Sequence, residues 1–113
     1  MPEAVLDASA LLALLNAEPG AEVVAAALPQ AAISAVNLSE VVAKLADAGM
    51  PEAAVREALQ GLALDVVPFD TDQAYEAGLL RSSTRGVGLS LGDRACLGLA
   101  RRLNVPALTA DRT

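Results

Sequence analysis

The sequence predicts a three-layer α/β sandwich: a parallel sheet with helices on both faces. Three observations predict it. Four short apolar segments, at 4–7, 31–34, 64–67 and 105–109, alternate with stretches of helical periodicity. The intervening stretches are long enough for the crossover helices that parallel strands need and hairpins do not. And 113 residues, 54% of them hydrophobic, suit one core and not two.

Each element has a local cause. The first strand, 4–7, ends in Asp7. Leu11, Leu12 and Leu15 then recur at helical spacing over 9–16, and Pro19-Gly20 ends that helix. A second short helix covers 21–28 and stops at Pro29. After the strand at 31–34, Asn37 is the expected N-cap of a helix over 37–48 that Gly49 closes. Pro51, as a first helical residue, opens a helix ending near Gly61. The strand at 64–67 is closed by Pro68, and Asp70 or Thr71 caps a helix to about Ser83. Residues 85–89 read as a glycine-bearing loop. Ser90 then caps a helix to about Leu103, which leads into the last strand and to Asp111.

Composition removes several chemistries. The chain has no His, so it has no His general base, no Ser-His-Asp triad and no His-ligated zinc. One cysteine, Cys96, allows neither an intrachain disulfide nor a cysteine zinc site, and a cytoplasmic protein is the expectation. No apolar run approaches the roughly 18 residues of a membrane span, and no basic region precedes the first apolar stretch, as a signal peptide would require. Phe69 and Tyr75 are too few for an aromatic base-stacking platform. Net charge is −6, which is not the basic footprint of a nucleic-acid binder. Arg81, Arg85, Arg94, Arg101, Arg102 and Arg112 cluster late in the chain, where a local basic face is expected.

Carboxylates are what remains to carry chemistry. Asp7 closes the first strand and Asp111 the last, and Glu40 stands in the first turn of the helix after the second strand. In a parallel sheet Asp7 and Glu40 share the rim where ligands bind, and Asp111 shares it if its strand is central. Asp93, at the start of the helix before the last strand, joins them only if its loop crosses over. Two carboxylates about 4 Å apart repel by roughly 4 kcal/mol at an effective dielectric near 20, so a convergent cluster must take up protons or cations. Oxygen ligands favour hard cations such as Mg²⁺ or Mn²⁺.

Structural roles compete at every position. Asn37-x-x-Glu40 and Ser90-x-x-Asp93 both fit a capping box, Asp7 fits a helix cap, and Asp111 fits a solvated charge near a terminus. Capping does not explain four acids gathered at one sheet edge, and it is compatible with metal binding. Gly86, Gly88 and Gly92 follow a helix and not a strand, so the dinucleotide fingerprint fails on context. Cys96, in an apolar helix, reads as core. Parts of the apolar helix faces over 9–28 and 41–59 offer a groove to a partner helix.

Four segments carry a resemblance. Val5-Leu6-Asp7-Ala8-Ser9-Ala10-Leu11-Leu12, Asn37-Leu38-Ser39-Glu40-Val41, Leu91-Gly92-Asp93-Arg94-Ala95-Cys96-Leu97-Gly98-Leu99-Ala100 and Ala107-Leu108-Thr109-Ala110-Asp111-Arg112 resemble, in order, the motifs of PIN-domain ribonucleases of the VapC toxin family. The resemblance covers the whole chain and implies one PIN domain over 1–113, with a PIN-like sheet of four to five strands and the first strand central. It implies Mg²⁺- or Mn²⁺-dependent cleavage of RNA by an activated water. It implies a VapB-type antitoxin whose C-terminal segment covers the site, and a toxin that forms a homodimer. Asp7, Glu40, Asp93 and Asp111 match the acidic, metal-holding site. Thr109 matches a hydroxyl beside the last acid, and Ser9 takes a part in orienting Asp7 or a water. Such relatives continue past the last acid through a further helical segment and a strand, whereas this sequence stops at Thr113: either its end is missing or the protein is truncated, and in a truncated protein a frayed Asp111 and an open sheet edge are expected.

Two other readings stand beside it. The acidic charge and short C-terminus suit a catalytically silent PIN-like binding module. A phosphatase or receiver-like domain lacks support, because Asp7-Ala8-Ser9 has no second aspartate two residues on.

Overall fold

The structure, a computed structural model, describes residues 1–111. Its elements follow the expected order: β1 (Ala4–Leu6), α1 (Ala8–Leu15), α2 (Ala21–Ala27), a 3₁₀ turn (Leu28–Gln30), β2 (Ala31–Ser34), α3 (Ala35–Asp47), α4 (Glu52–Gln60), β3 (Asp65–Val67), α5 (Thr71–Ser83), α6 (Leu91–Leu103) and β4 (Ala107–Leu108). All pairings in the sheet are parallel, in the order β3-β2-β1-β4. The last strand is shorter than the 105–109 expected. Pro106 lacks a backbone N–H, and its carbonyl accepts from Val5 N–H at 3.0 Å where β4 begins.

The pleat sorts the core into two layers. Val5 and Leu6 point to opposite faces of β1. Val5 packs with Cys96, Leu99 and Ala100 of α6, and α5 lies against α6 on that side. Leu6 packs with Ala10 of α1 and Val24 of α2. Ile33, in register with Leu6, joins Leu11, Val41, Leu45, Val55 and Leu59 from α1, α3 and α4. Burying the largest of these side chains contributes about 1.5–3 kcal/mol each. Among the described residues no helix is long and apolar enough to cross a membrane.

Two caps differ from expectation. Asn37 is not the N-cap of α3: Ser34 is, accepting from Val36 N–H at 3.2 Å, and the helix begins at Ala35. Ser34 can cap because it is the last residue of β2 and has an extended backbone. Pro51 stands just outside α4 and not at its first helical position. Asp70 and Ser90 cap α5 and α6 as expected.

Candidate functional site

The sheet order creates the site. Strands run outward from β1 to β2 and β3, and the chain then returns to place β4 on the other side of β1. The carboxyl ends of β1 and β4 therefore flank a topological switch point, where parallel sheets leave a crevice. Asp7 follows β1, and Thr109 and Asp111 follow β4, so both strands deliver side chains to that crevice.

Asp7 is the N-cap of α1. Its Oδ1 accepts from Ala10 N–H at 2.9 Å and from the Ser9 hydroxyl at 2.7 Å. Ser9 Oγ also accepts from the backbone N–H groups of Ala110 and Asp111, at 3.0 and 3.1 Å, and lies 3.1 Å from Thr109 Oγ1. Thr109 Oγ1 accepts from Asp111 N–H at 3.0 Å. A serine next to Asp7 thus ties the segment after β4 to the start of α1.

Glu40 is one turn into α3. Its Oε1 accepts from Asn37 Nδ2 at 3.2 Å, and the same Nδ2 donates to the Gly92 carbonyl of α6 at 3.0 Å. The Asn37–Glu40 spacing therefore serves a side-chain contact and not a capping box. Asp93 does form a capping box: Ser90 Oγ accepts from Asp93 N–H at 3.1 Å, and Asp93 Oδ2 accepts from Ser90 N–H at 3.0 Å. In Asp7, Glu40 and Asp93 these bonds hold one carboxylate oxygen and leave the other outside them.

Asp7, Glu40, Asp93 and Asp111 all line one cleft, with Ser9, Asn37 and Lys44. The loop before α6 brings Asp93 to the rim, which strand order alone left open. The cleft volume of about 220 Å³ has room for several waters at roughly 30 Å³ each. Asn37, which lines the cleft, is 1% exposed, and its Oδ1 has no hydrogen-bond partner. Among the described residues, no three Asp, Glu or Cys side chains already form a group that could cage an ion. An all-oxygen donor set around an open cleft suits a cation held by one or two carboxylates and its own waters, which is how Mg²⁺ is commonly bound.

Cys96 lies beneath the acids and is 3% exposed. Burial, followed by the charges of Asp7, Asp93 and Glu40, pushes its thiol from 9.0 up to about 12. It is a core residue and not a nucleophile.

The expected basic face is only partly available. Arg102 pairs with Glu76 at 2.8 Å and Asp70 at 3.9 Å. Arg94 donates to the Ala77 carbonyl at 2.8 Å and has a buried Nε, so it packs α6 onto α5. Arg112 lies outside the described residues. Sequence reasoning overlooked Lys44, although its i,i+4 spacing from Glu40 places both on one helix face. It also gave Asn37 the wrong role and gave Gly92 none at the site.

A family model for the PIN domain matches residues 4–113. The chain belongs to the PIN-domain family. Solved structures with the same fold include a toxin–antitoxin complex from Klebsiella pneumoniae, with TM-score 0.76 and 22% identity, covering 96% of this chain and 86% of that one. Another is Mycobacterium tuberculosis VapC20, described as a toxin cleaving the sarcin-ricin loop, with TM-score 0.78 and 20% identity, covering 96% and 90%. A third is VapBC2 from Rickettsia felis, bound to a DNA fragment from its promoter, with TM-score 0.73 and 17% identity, covering 96% and 86%. At such identities the likeness establishes the fold of this PIN domain. The search of curated proteins gives no match.

Proposed function

We propose that this PIN domain is a divalent-metal-dependent endoribonuclease, the toxin of a VapBC-type toxin–antitoxin pair in the cytoplasm. The observation that carries the reading is the gathering of Asp7, Glu40, Asp93 and Asp111 on one cleft, in a chain without His. These four carboxylates are the groups to hold Mg²⁺ or Mn²⁺. A bound cation of this kind supplies a polarised phosphate, a more acidic attacking water and a stabilised leaving oxygen.

The chain's own residues supply position. Ser9 fixes the Asp7 carboxylate and tethers the backbone of Asp111, and Thr109 adds a second acceptor for that backbone. Lys44, on the cleft wall, places a positive charge where an RNA phosphate would approach. Membership of the PIN family supports the nuclease reading, and the toxin–antitoxin assemblies among the similar folds support a VapB-type antitoxin as partner. Tyr75 and Leu79, 71% and 74% exposed on α5, suit burial between two copies in a homodimer.

RNA incubated with the purified, antitoxin-free protein tests the proposal. Cleavage with Mg²⁺ or Mn²⁺, abolished by EDTA and by Asp7→Ala, is the expected result. No cleavage with either metal refutes it.

The net charge of −6, with no three-ligand group preformed among the described residues, favours one second reading, a catalytically silent binding module. It requires antitoxin or RNA binding that survives Asp93→Asn, and no growth arrest on expression. Growth arrest that depends on Asp93 excludes it.

A further inference from the structure

Gly92 is a buried residue in the first turn of α6, where glycine weakens a helix and alanine strengthens it. The three nearest atoms to a Cβ built there all belong to the Glu40 carboxylate: Oε1, Oε2 at 2.5 Å and Cδ at 2.6 Å. No methyl group fits while Glu40 stays in place. The obstruction is the far end of a flexible side chain and not backbone, so a methyl at position 92 would displace the carboxylate and leave the helices as they are.

Asn37 holds the same carboxylate by a hydrogen bond. Its Nδ2 bridges Glu40 Oε1 and the Gly92 carbonyl, joining α3 to α6. Both partners are acceptors, so only the amide nitrogen can face them. That orientation leaves Oδ1 buried without a partner, a cost that an apolar side chain of similar shape would not incur. Both residues thus carry a local penalty, and both penalties follow from where the Glu40 carboxylate sits.

We propose that Gly92 and Asn37 are positioning residues that seat the Glu40 carboxylate across the start of α6, on the cleft shared with Asp7, Asp93 and Asp111. The function of this seat rests on the reading of the cleft as a cation site; the seat itself does not. Alanine at position 92 then separates stability from function.

The test uses the full chain and Mn²⁺ itself as probe. Binding is measured by titration calorimetry and stability by thermal unfolding, for wild type, Gly92→Ala, Asn37→Leu, Glu40→Ala and the Gly92→Ala/Glu40→Ala double variant. Gly92→Ala is expected to weaken Mn²⁺ binding about tenfold, as loss of a supporting contact to a metal ligand does. Its melting temperature should not fall. Asn37→Leu should weaken binding similarly, and in the Glu40→Ala background Gly92→Ala should have no further effect on it. Gly92→Ala should also raise the melting temperature more in that background than in wild type, because no carboxylate then has to move. Equal melting shifts in the two backgrounds overturn the seat, even if the protein binds no Mn²⁺. Unchanged Mn²⁺ affinity in Gly92→Ala, with Glu40→Ala impaired, overturns its role. Unchanged affinity in Glu40→Ala overturns the assignment of Glu40 to the site, and with it that role.

Discussion

The Ser9 hydroxyl lies 2.7 Å from Asp7 Oδ1, and its oxygen accepts the Asp111 backbone N–H at 3.1 Å. One side chain therefore couples an acid after the first strand to an acid after the last, which lies 104 positions on in sequence. Strand β4 has only two residues, and this contact adds to the Asp7 N–H bond to the Leu108 carbonyl at 3.1 Å in holding its end. Ser9→Ala removes a donor to a carboxylate and an acceptor for two backbone groups. It should lower unfolding free energy by about 1–3 kcal/mol, read by denaturant titration. Mn²⁺-dependent RNA cleavage should fall with it, because the Asp7 carboxylate loses its Ser9 donor and the Asp111 backbone loses one of its two hydroxyl acceptors.

Asp7 is both a helix cap and a cleft acid, and two substitutions separate the roles. Asn caps as well as Asp, so Asp7→Asn should keep stability within about 0.5 kcal/mol of wild type. Asp7→Ala should cost about 1 kcal/mol by loss of the cap. Both should abolish RNA cleavage. Cleavage retained by Asp7→Asn would make Asp7 a cap alone.

Much of this fold was legible, and the reasons are local. Asp7, Asp70 and Ser90 cap helices because short polar side chains precede apolar helical runs, a pattern visible without coordinates. Strand β2 at Ala31–Ser34 was recovered in full because it is a buried apolar run between a proline turn and a helix. Asn37 was misread because its spacing from Glu40 fits both a capping box and a side-chain contact one turn into a helix. The outcome depended on Ser34 taking the cap. The contact of Gly92 with Glu40 is not legible in the sequence: the carboxylate lies 52 residues earlier, and only packing of α3 on α6 brings the two together. The basic face was overestimated because sequence does not show that Arg94 and Arg102 are committed to α5.

Lys44 places a cation on the wall of the acidic cleft. It should oppose a divalent ion there and favour a phosphate. Lys44→Gln is expected to tighten Mn²⁺ binding about threefold at low salt, an effect of roughly 0.6 kcal/mol that added salt diminishes. The Michaelis constant for RNA should rise in the same variant. Calorimetry and steady-state cleavage read the two effects separately.

Cys96 should make the protein sensitive to alkali. Its folded thiol titrates at about 12, above the ordinary 9.0, through burial and then the charges of Asp7, Asp93 and Glu40. The unfolded chain therefore ionises first as pH rises. The stabilising contribution is fully present below pH 9.0 and is lost progressively toward about 12. Unfolding free energy should fall more steeply over this interval in wild type than in Cys96→Ala, by at most about 1.4 kcal/mol per pH unit. Parallel curves for the two proteins would contradict the shift.

In the proposed reading, four acids from distant stretches of chain serve one divalent-cation site, some as direct ligands and the others through bound waters. Mn²⁺ titration calorimetry on wild type, Asp7→Asn, Glu40→Gln, Asp93→Asn and Asp111→Asn tests it most directly. Wild type should bind Mn²⁺, and each substitution should weaken binding by at least about tenfold. A wild-type protein that binds no Mn²⁺, or four variants that bind it as wild type does, would contradict the account.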